Sequence, residues 1–235
     1  INLLSDLRGV NRFRVQLLTF EFLSERTDID KSILPDYKAL KDFCESGLPM
    51  SNNALKSFIS QNKSPFLLEL LNWSNKSDEI FAAHVKGLMP FKNFSESLKT
   101  ASFKADIMVI SSASSEGLHK DWGEAGLLDF VSLVAGQEAG SKTQQLKNAT
   151  ENKYKKENIL MIGDAFGDLD AAKAAGALFY PVFPTNEVAS WELLKNEALD
   201  KFFSGTYPGE YEDRLIIDFK KCLTDEKPWK TPEIS

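Results

Sequence analysis

The chain has 235 residues, 43% of them hydrophobic, and a formal net charge of −6, which is enough apolar material for one full-sized core and a smaller second one. Its acidic balance, with no basic cluster denser than Lys153, Lys155 and Lys156, argues against nucleic acid and against an anionic membrane surface as partners. No apolar run approaches the roughly 20 residues of a membrane span, and the first residues lack the basic-then-apolar layout of a signal peptide, so a cytoplasmic protein handling small molecules is expected.

From residue 10 to 88 the apolar spacing is helical. The stretches NRFRVQLLTFEFL, DYKALKDFCES, NNALKSFISQ, SPFLLELLNW and SDEIFAAHV are separated by breakers such as Leu34-Pro35, Gly47-Leu48-Pro49 and Ser64-Pro65. Ser64 before Pro65 and Ser77 before Asp78-Glu79 stand where N-caps belong. From Lys104 onward short apolar runs alternate with helices. Strands are expected at 106–111, 130–134, 158–163 and 177–181, and helices near 115–127, 141–150 and 168–175. That alternation predicts an α/β fold with a doubly wound, Rossmann-like parallel sheet. The tail from Glu187 to Leu223 reads as further helix with a turn at Tyr207-Pro208-Gly209, and the last dozen residues read as loose. The expected organisation is a helical domain over 10–88, as a layer over the carboxyl edge of the sheet, and an α/β core over 89–235, with or without 1–9.

In such sheets ligands sit outside the carboxyl ends of the strands, so the polar residues that end each apolar run are the candidates. The run IMVI ends in Ser111 and Ser112, the loop after SLVAGQEAG places Lys142 at the start of a helix, and ILMIG ends in Asp164 with Asp168 one helical turn on. That spacing lets both carboxylates face one oxygen-loving cation. Each residue also has an ordinary structural role: Asp168 and the serines as helix caps, Lys142 as a solvated side chain. Their order, each at the same expected sheet edge, is what distinguishes them. His84 and His119 are solitary and lack metal-ligand spacing. Cys44 and Cys222, far apart and outside any CxxC pattern, read as packing residues. Arg8, Asn11, Arg12 and Arg14 form a polar cluster that either faces substrate or is a solvated helix face.

On IMVIS, GSKTQQL and GDAFGD the chain resembles the haloacid dehalogenase superfamily, mostly magnesium-dependent phosphohydrolases. The resemblance spans roughly residues 88–185. It implies a helical cap, inserted or N-terminal, over 10–88 and hydrolysis of a small phosphorylated metabolite through an aspartyl-phosphate. In that scheme Ser111, with Ser112, bonds a phosphoryl oxygen, Lys142 neutralises charge, and Asp164 and Asp168 hold Mg²⁺.

The family's first motif, an apolar strand followed by Asp-x-Asp-Gly-Thr, is not intact. The nearest string is INLLSDLRGV, with Asp6 and Gly9 in place, Arg8 where the general acid belongs and Val10 where Thr belongs. Three accounts follow: a first motif ahead of Ile1, Asp6 as a degenerate nucleophile, or a catalytically inactive phosphate- and metal-binding relative. A phosphonate hydrolase or phosphomutase of the same family is a near variant. An unrelated doubly wound domain is the remaining alternative, with nucleotide binding disfavoured by the absence of GxGxxG and GxxxxGK[ST].

Overall fold

A computed structural model describes residues 3–85 and 87–224; the expected loose tail lies outside that range apart from Thr224. The described residues form two compact units, one over 10–85 and the other built from 3–9 together with 87–224.

The first unit is entirely helical: α1 (Arg12–Glu25), α2 (Lys38–Glu45), α3 (Asn52–Gln61) and α4 (Pro65–His84). Caps start three of them, with Asn11, Ser51 and Ser64 accepting hydrogen bonds from the N–H groups of Phe13, Ala54 and Leu67. Phe13, Leu17, Leu40, Phe43, Leu55 and Leu67 make its core, each at most 1% exposed, and Phe13 meets Phe43 edge to face at 5.7 Å. One expectation is corrected. The stretches at 64–73 and 77–85 are a single 20-residue helix, because Ser77 does not cap: its hydroxyl donates to the carbonyl of Trp73 (2.8 Å) within the helix. A polar network pins three helices together. Ser74, fully buried, donates to Asn52 Oδ1 (2.7 Å) and accepts from Arg12 (3.1 Å), while Arg12 and Asn52 both reach Asp78 (2.6 and 2.9 Å).

The second unit is α/β. After α5 (Phe94–Ser102), it runs β1 (Met108–Ile110), α6 (Ser115–Glu124), β2 (Leu133–Ala135), α7 (Lys142–Thr150), β3 (Leu160–Gly163), α8 (Phe166–Ala175) and β4 (Leu178–Pro181). It closes with α9 (Glu187–Leu193), a π-turn at Leu194–Ala198, α10 (Leu199–Ser204) and α11 (Glu210–Cys222). All four expected strands form, shorter than the apolar runs. β1 pairs in parallel with β2, Met108 opposite Leu133, and β3 in parallel with β4, Leu160 opposite Leu178. The single doubly wound sheet is corrected: the described strands form two separate two-stranded sheets. An apolar run signals that a strand forms but not which strand hydrogen-bonds to it. Helices cover both faces of β4. Phe179 packs with Leu146, Leu169 and Phe219, and the next residue, Tyr180, with Leu194, Leu199 and Leu215, as the period of two demands.

The outer edge of β4 is closed by side chains. Phe179 N–H donates to Glu212 Oε1 (2.7 Å), and the Tyr207 hydroxyl donates to the Phe179 carbonyl (2.7 Å). Burial raises the Glu212 carboxyl above its ordinary value, against the lowering effect of the Phe179 N–H. A carboxyl raised on folding adds stability below its unfolded titration and loses it as pH rises through the folded one. Glu212→Gln keeps the acceptor and removes the charge. Its melting temperature should therefore exceed the parent's at pH 7, and the gap should close on acidification below pH 4; thermal melts across that range check it.

The segment 3–9 belongs to the same unit. Ser5 bridges to Thr224, Asp6 N–H donates to the Thr224 carbonyl (3.2 Å), and Thr224 N–H donates to the Leu4 carbonyl (3.2 Å). The turn ends at Gly9, whose φ of +75° suits glycine and whose Cβ, if present, would lie 3.1 Å from Ala165 Cβ. No helix among the described residues is long and apolar enough to cross a membrane.

Candidate active site

The carboxyl ends of β1, β2 and β3 gather at the amino end of α7. Ser141 caps that helix, accepting from Gln144 N–H (3.3 Å), which projects Lys142 from its first turn. Lys142 Nζ donates to Asp168 Oδ1 at 2.5 Å, with Asp168 5% exposed and Lys142 26%. The other Asp168 oxygen accepts the N–H groups of Asp164 and Ala165, both at 3.2 Å. Asp168 is thus the third residue of α8, tying that helix to β3 and to Lys142. The arrangement requires glycine at the end of β3: a Cβ on Gly163 would lie 2.3 Å from Asp168 Cβ.

Asp164 is half-exposed and paired with Arg8. Nε and Nη2 of Arg8 both donate to Asp164 Oδ2 (3.0 and 2.7 Å), Nη1 donates to the Leu3 carbonyl (2.9 Å), and Glu187 lies 3.9 Å from Nη2. Asp164 Oδ1 has no partner among the described residues. Ser111 ends β1 with its N–H on the Ala135 carbonyl (3.0 Å), and its hydroxyl accepts from Ala113 N–H (3.1 Å), shaping the loop that follows. Ser112 is exposed.

Sequence reasoning missed Gln145. This residue, 2% exposed, donates from Nε2 to the carbonyls of Ser111 (3.4 Å), Gly136 (2.9 Å) and Gly140 (2.8 Å). It locks the ends of β1 and β2 to the helix that carries Lys142, one turn away. A glutamine in an otherwise helical surface pattern carries no signal of this. Arg8 was noted as a misfit in a motif and as part of a polar cluster; its bond to Asp164 spans 156 positions, beyond any local pattern.

The remaining candidates have other surroundings. Asp6 is exposed, and its N–H donates to the Thr224 carbonyl (3.2 Å). The arginine cluster divides: Asn11 and Arg12 serve the helical unit, with the Asn11 amide donating to the Met50 carbonyl (2.8 Å), whereas Arg8 faces Asp164. His84 and His119 are exposed, each with its Nδ1 on a backbone carbonyl of its own helix. Cys44 and Cys222 are free thiols, and burial pushes the Cys44 thiol up.

The residues as arranged do not complete a magnesium site. Mg²⁺ demands near-octahedral oxygen ligation, and one or two carboxylates normally hold it together with waters and substrate phosphate. Here both oxygens of Asp168 are committed, Asp164 offers one, and a guanidinium lies against that carboxylate. No three His, Cys, Asp or Glu side chains group to hold an ion among the described residues. In this arrangement Asp168 faces Lys142 and Asp164 faces Arg8. What remains is a cationic pair, Lys142 and Arg8, flanking the end of β3.

Comparison with known families finds that a model described as haloacid dehalogenase-like hydrolase matches residues 36–182. No curated protein matches the chain.

Proposed function

Since the chain belongs to the family of haloacid dehalogenase-like hydrolases, we propose that it is a phosphohydrolase acting on a small phosphorylated metabolite. One observation carries this reading: Lys142, held by the buried Asp168 at 2.5 Å, is fixed at the carboxyl end of β3 with donor capacity left over. An ammonium has three N–H donors, and the ion pair uses one. Phosphoryl transfer is catalysed mainly by positioning and electrostatics, so a cation whose position is set before substrate arrives is what the chemistry needs.

In this reading Lys142 donates to a phosphoryl oxygen and offsets its charge. Ser111, and Ser112 beside it, donate to a second oxygen from the end of β1. Gln145 keeps both strand ends in register, and Asp164 orients Arg8 toward the same anion. The helical unit, inserted in sequence between residues 9 and 87, is the substrate-selecting cap common in the family. Mg²⁺, which family members commonly use, would meet the free oxygen of Asp164 only, and no step is routed through it. The attacking carboxylate is not assigned to a described residue. The Arg8–Asp164 pair favours a second reading, a relative that binds phosphate without turning it over, because the guanidinium lies against a carboxylate that the family uses for metal.

Turnover of an aryl phosphate separates the two. Hydrolysis above background that Lys142→Met and Ser111→Ala each lower at least tenfold supports the enzyme; inorganic phosphate binding without turnover supports the binding protein.

A further inference from the structure

Glu187 stands beside the site with bonding capacity left over. Its side chain is 18% exposed, and Oε1 accepts the Thr185 N–H (3.1 Å) while lying 3.9 Å from Arg8 Nη2, beyond hydrogen-bond reach. Its other oxygen has no hydrogen bond among the described residues. A carboxylate so far out of water is normally paired. The turn ahead of it holds it in place. Asn186 N–H donates to the Phe183 carbonyl (3.0 Å), and between them Pro184 is followed by Thr185 at φ +67°, the turn position where glycine or asparagine is usual. A β-branched residue there is strained, and it is this residue whose N–H fixes Glu187.

Arg8 therefore lies between two carboxylates. Of its five N–H groups, three are used: one on Nε and one on Nη2 go to Asp164 Oδ2, and one on Nη1 goes to the Leu3 carbonyl. The Nη2 hydrogen left over is on the nitrogen nearest Glu187. A shift of about 1 Å brings that nitrogen to hydrogen-bond length of Glu187, with the Leu3 carbonyl as pivot on the other. The Arg8 side chain is 16% exposed, so it cannot leave Asp164 without another carboxylate to go to: a charge buried without a partner is costly. Glu187 removes that cost. The two carboxylates also differ in access. Asp164 is 48% exposed and open to a cation from solvent, whereas Glu187 is mostly covered, and a second positive charge on Asp164 would repel the guanidinium beside it.

We propose that Glu187 is a positioning residue for Arg8: the guanidinium has two stations, Asp164 and Glu187, and passes to the second when Asp164 takes a cation. This rests on the phosphate-site reading, in which Arg8 and Lys142 meet the anion. With Arg8 on Glu187, its charge stays beside the end of β3 while the Asp164 carboxylate is uncovered for the Mg²⁺ that family members commonly use. The poor fit of the described arrangement to Mg²⁺ is then one position of this exchange.

Nitrogen-15 NMR of the Arg8 guanidinium tests this with no phosphate present, so its outcome is independent of whether the chain binds phosphate. Without metal, hydrogen exchange of the guanidinium should stay slow in Asp164→Ala and in Glu187→Ala, each leaving one station, and become about tenfold faster or more in the double variant. The proposal is overturned if Asp164→Ala alone exchanges as fast as the double variant, or if the double variant stays as slow as the parent. Mg²⁺ added to the parent should move the Arg8 resonances toward those of Asp164→Ala. Glu187→Gln, which keeps the acceptor for Thr185 and removes only the charge, should weaken that Mg²⁺ response about threefold or more in the parent, while in an Arg8→Gln background, read from the Asp164 amide, it should change Mg²⁺ affinity little. No Mg²⁺ shift of Arg8, or an equal effect of Glu187→Gln with and without Arg8, overturns the exchange.

Discussion

Asp168→Ala is expected to destabilise the α/β unit by about 2–4 kcal/mol, a fall of roughly 5–15 °C in its melting temperature. The side chain is 5% exposed and makes three contacts: Lys142 on one oxygen, and the N–H groups of Asp164 and Ala165 on the other. Its removal leaves two backbone donors at a helix start without an acceptor, each costing on the order of 1 kcal/mol, and a Lys142 side chain only 26% exposed without its counter-charge. Breaking a buried pair from one side costs more than the pair is worth, because the orphaned charge remains desolvated. Removing both charges is therefore the informative control. Lys142→Met alone leaves Asp168 with its two N–H donors and should cost less than Asp168→Ala. The double variant should recover part of the loss, giving a coupling on the order of 1–3 kcal/mol in a double-mutant cycle. Asp168→Asn should fall between, since its amide oxygen still accepts from the two N–H groups but offers Lys142 no charge. Additive single effects would reduce Asp168 to a helix cap.

The parts of the structure legible in the sequence were those carried by local pattern. The run ILMIG followed by Asp and an alanine-rich helix gave β3, Asp164 and α8 their places, because a buried parallel strand is a short apolar run and a helix start is marked by acidic residues. The stretch NNALKSFISQ matched α3 residue for residue, with Ser51 as its cap. Local pattern misled at Ser77, where a serine followed by two acidic residues resembles a helix start, yet the hydroxyl bonds back to Trp73 and α4 continues. Nonlocal facts were out of reach. Nothing in the four apolar runs said that they would pair as two couples, since edge choice depends on which strand arrives alongside.

The site divides the same way. Residue types at strand ends marked Ser111, Lys142, Asp164 and Asp168 as a group. Spacing alone could not say that Asp168 would turn to Lys142. That partner lies on α7, 26 positions upstream. Arg8 and Gln145 act through contacts that no periodicity encodes.

The central claim is that Lys142 and Arg8 form a preset phosphate-binding pair at the end of β3. Each stands by a carboxylate that positions it, and neither is fully neutralised: Lys142 keeps two donors, and Arg8 shares one oxygen of a half-exposed Asp164. A charge-assisted hydrogen bond contributes roughly 1.5–3 kcal/mol, so loss of the ammonium should weaken phosphate binding about 10–100-fold. The direct measurement is calorimetric titration of the 235-residue chain with inorganic phosphate, beside Lys142→Met and Lys142→Arg, at low and high salt. The account predicts saturable binding, weakened 10–100-fold by methionine, partly retained by arginine, and diminished by salt in the parent more than in Lys142→Met. Equal affinity in the parent and Lys142→Met, or no binding by a parent that is folded, would contradict it.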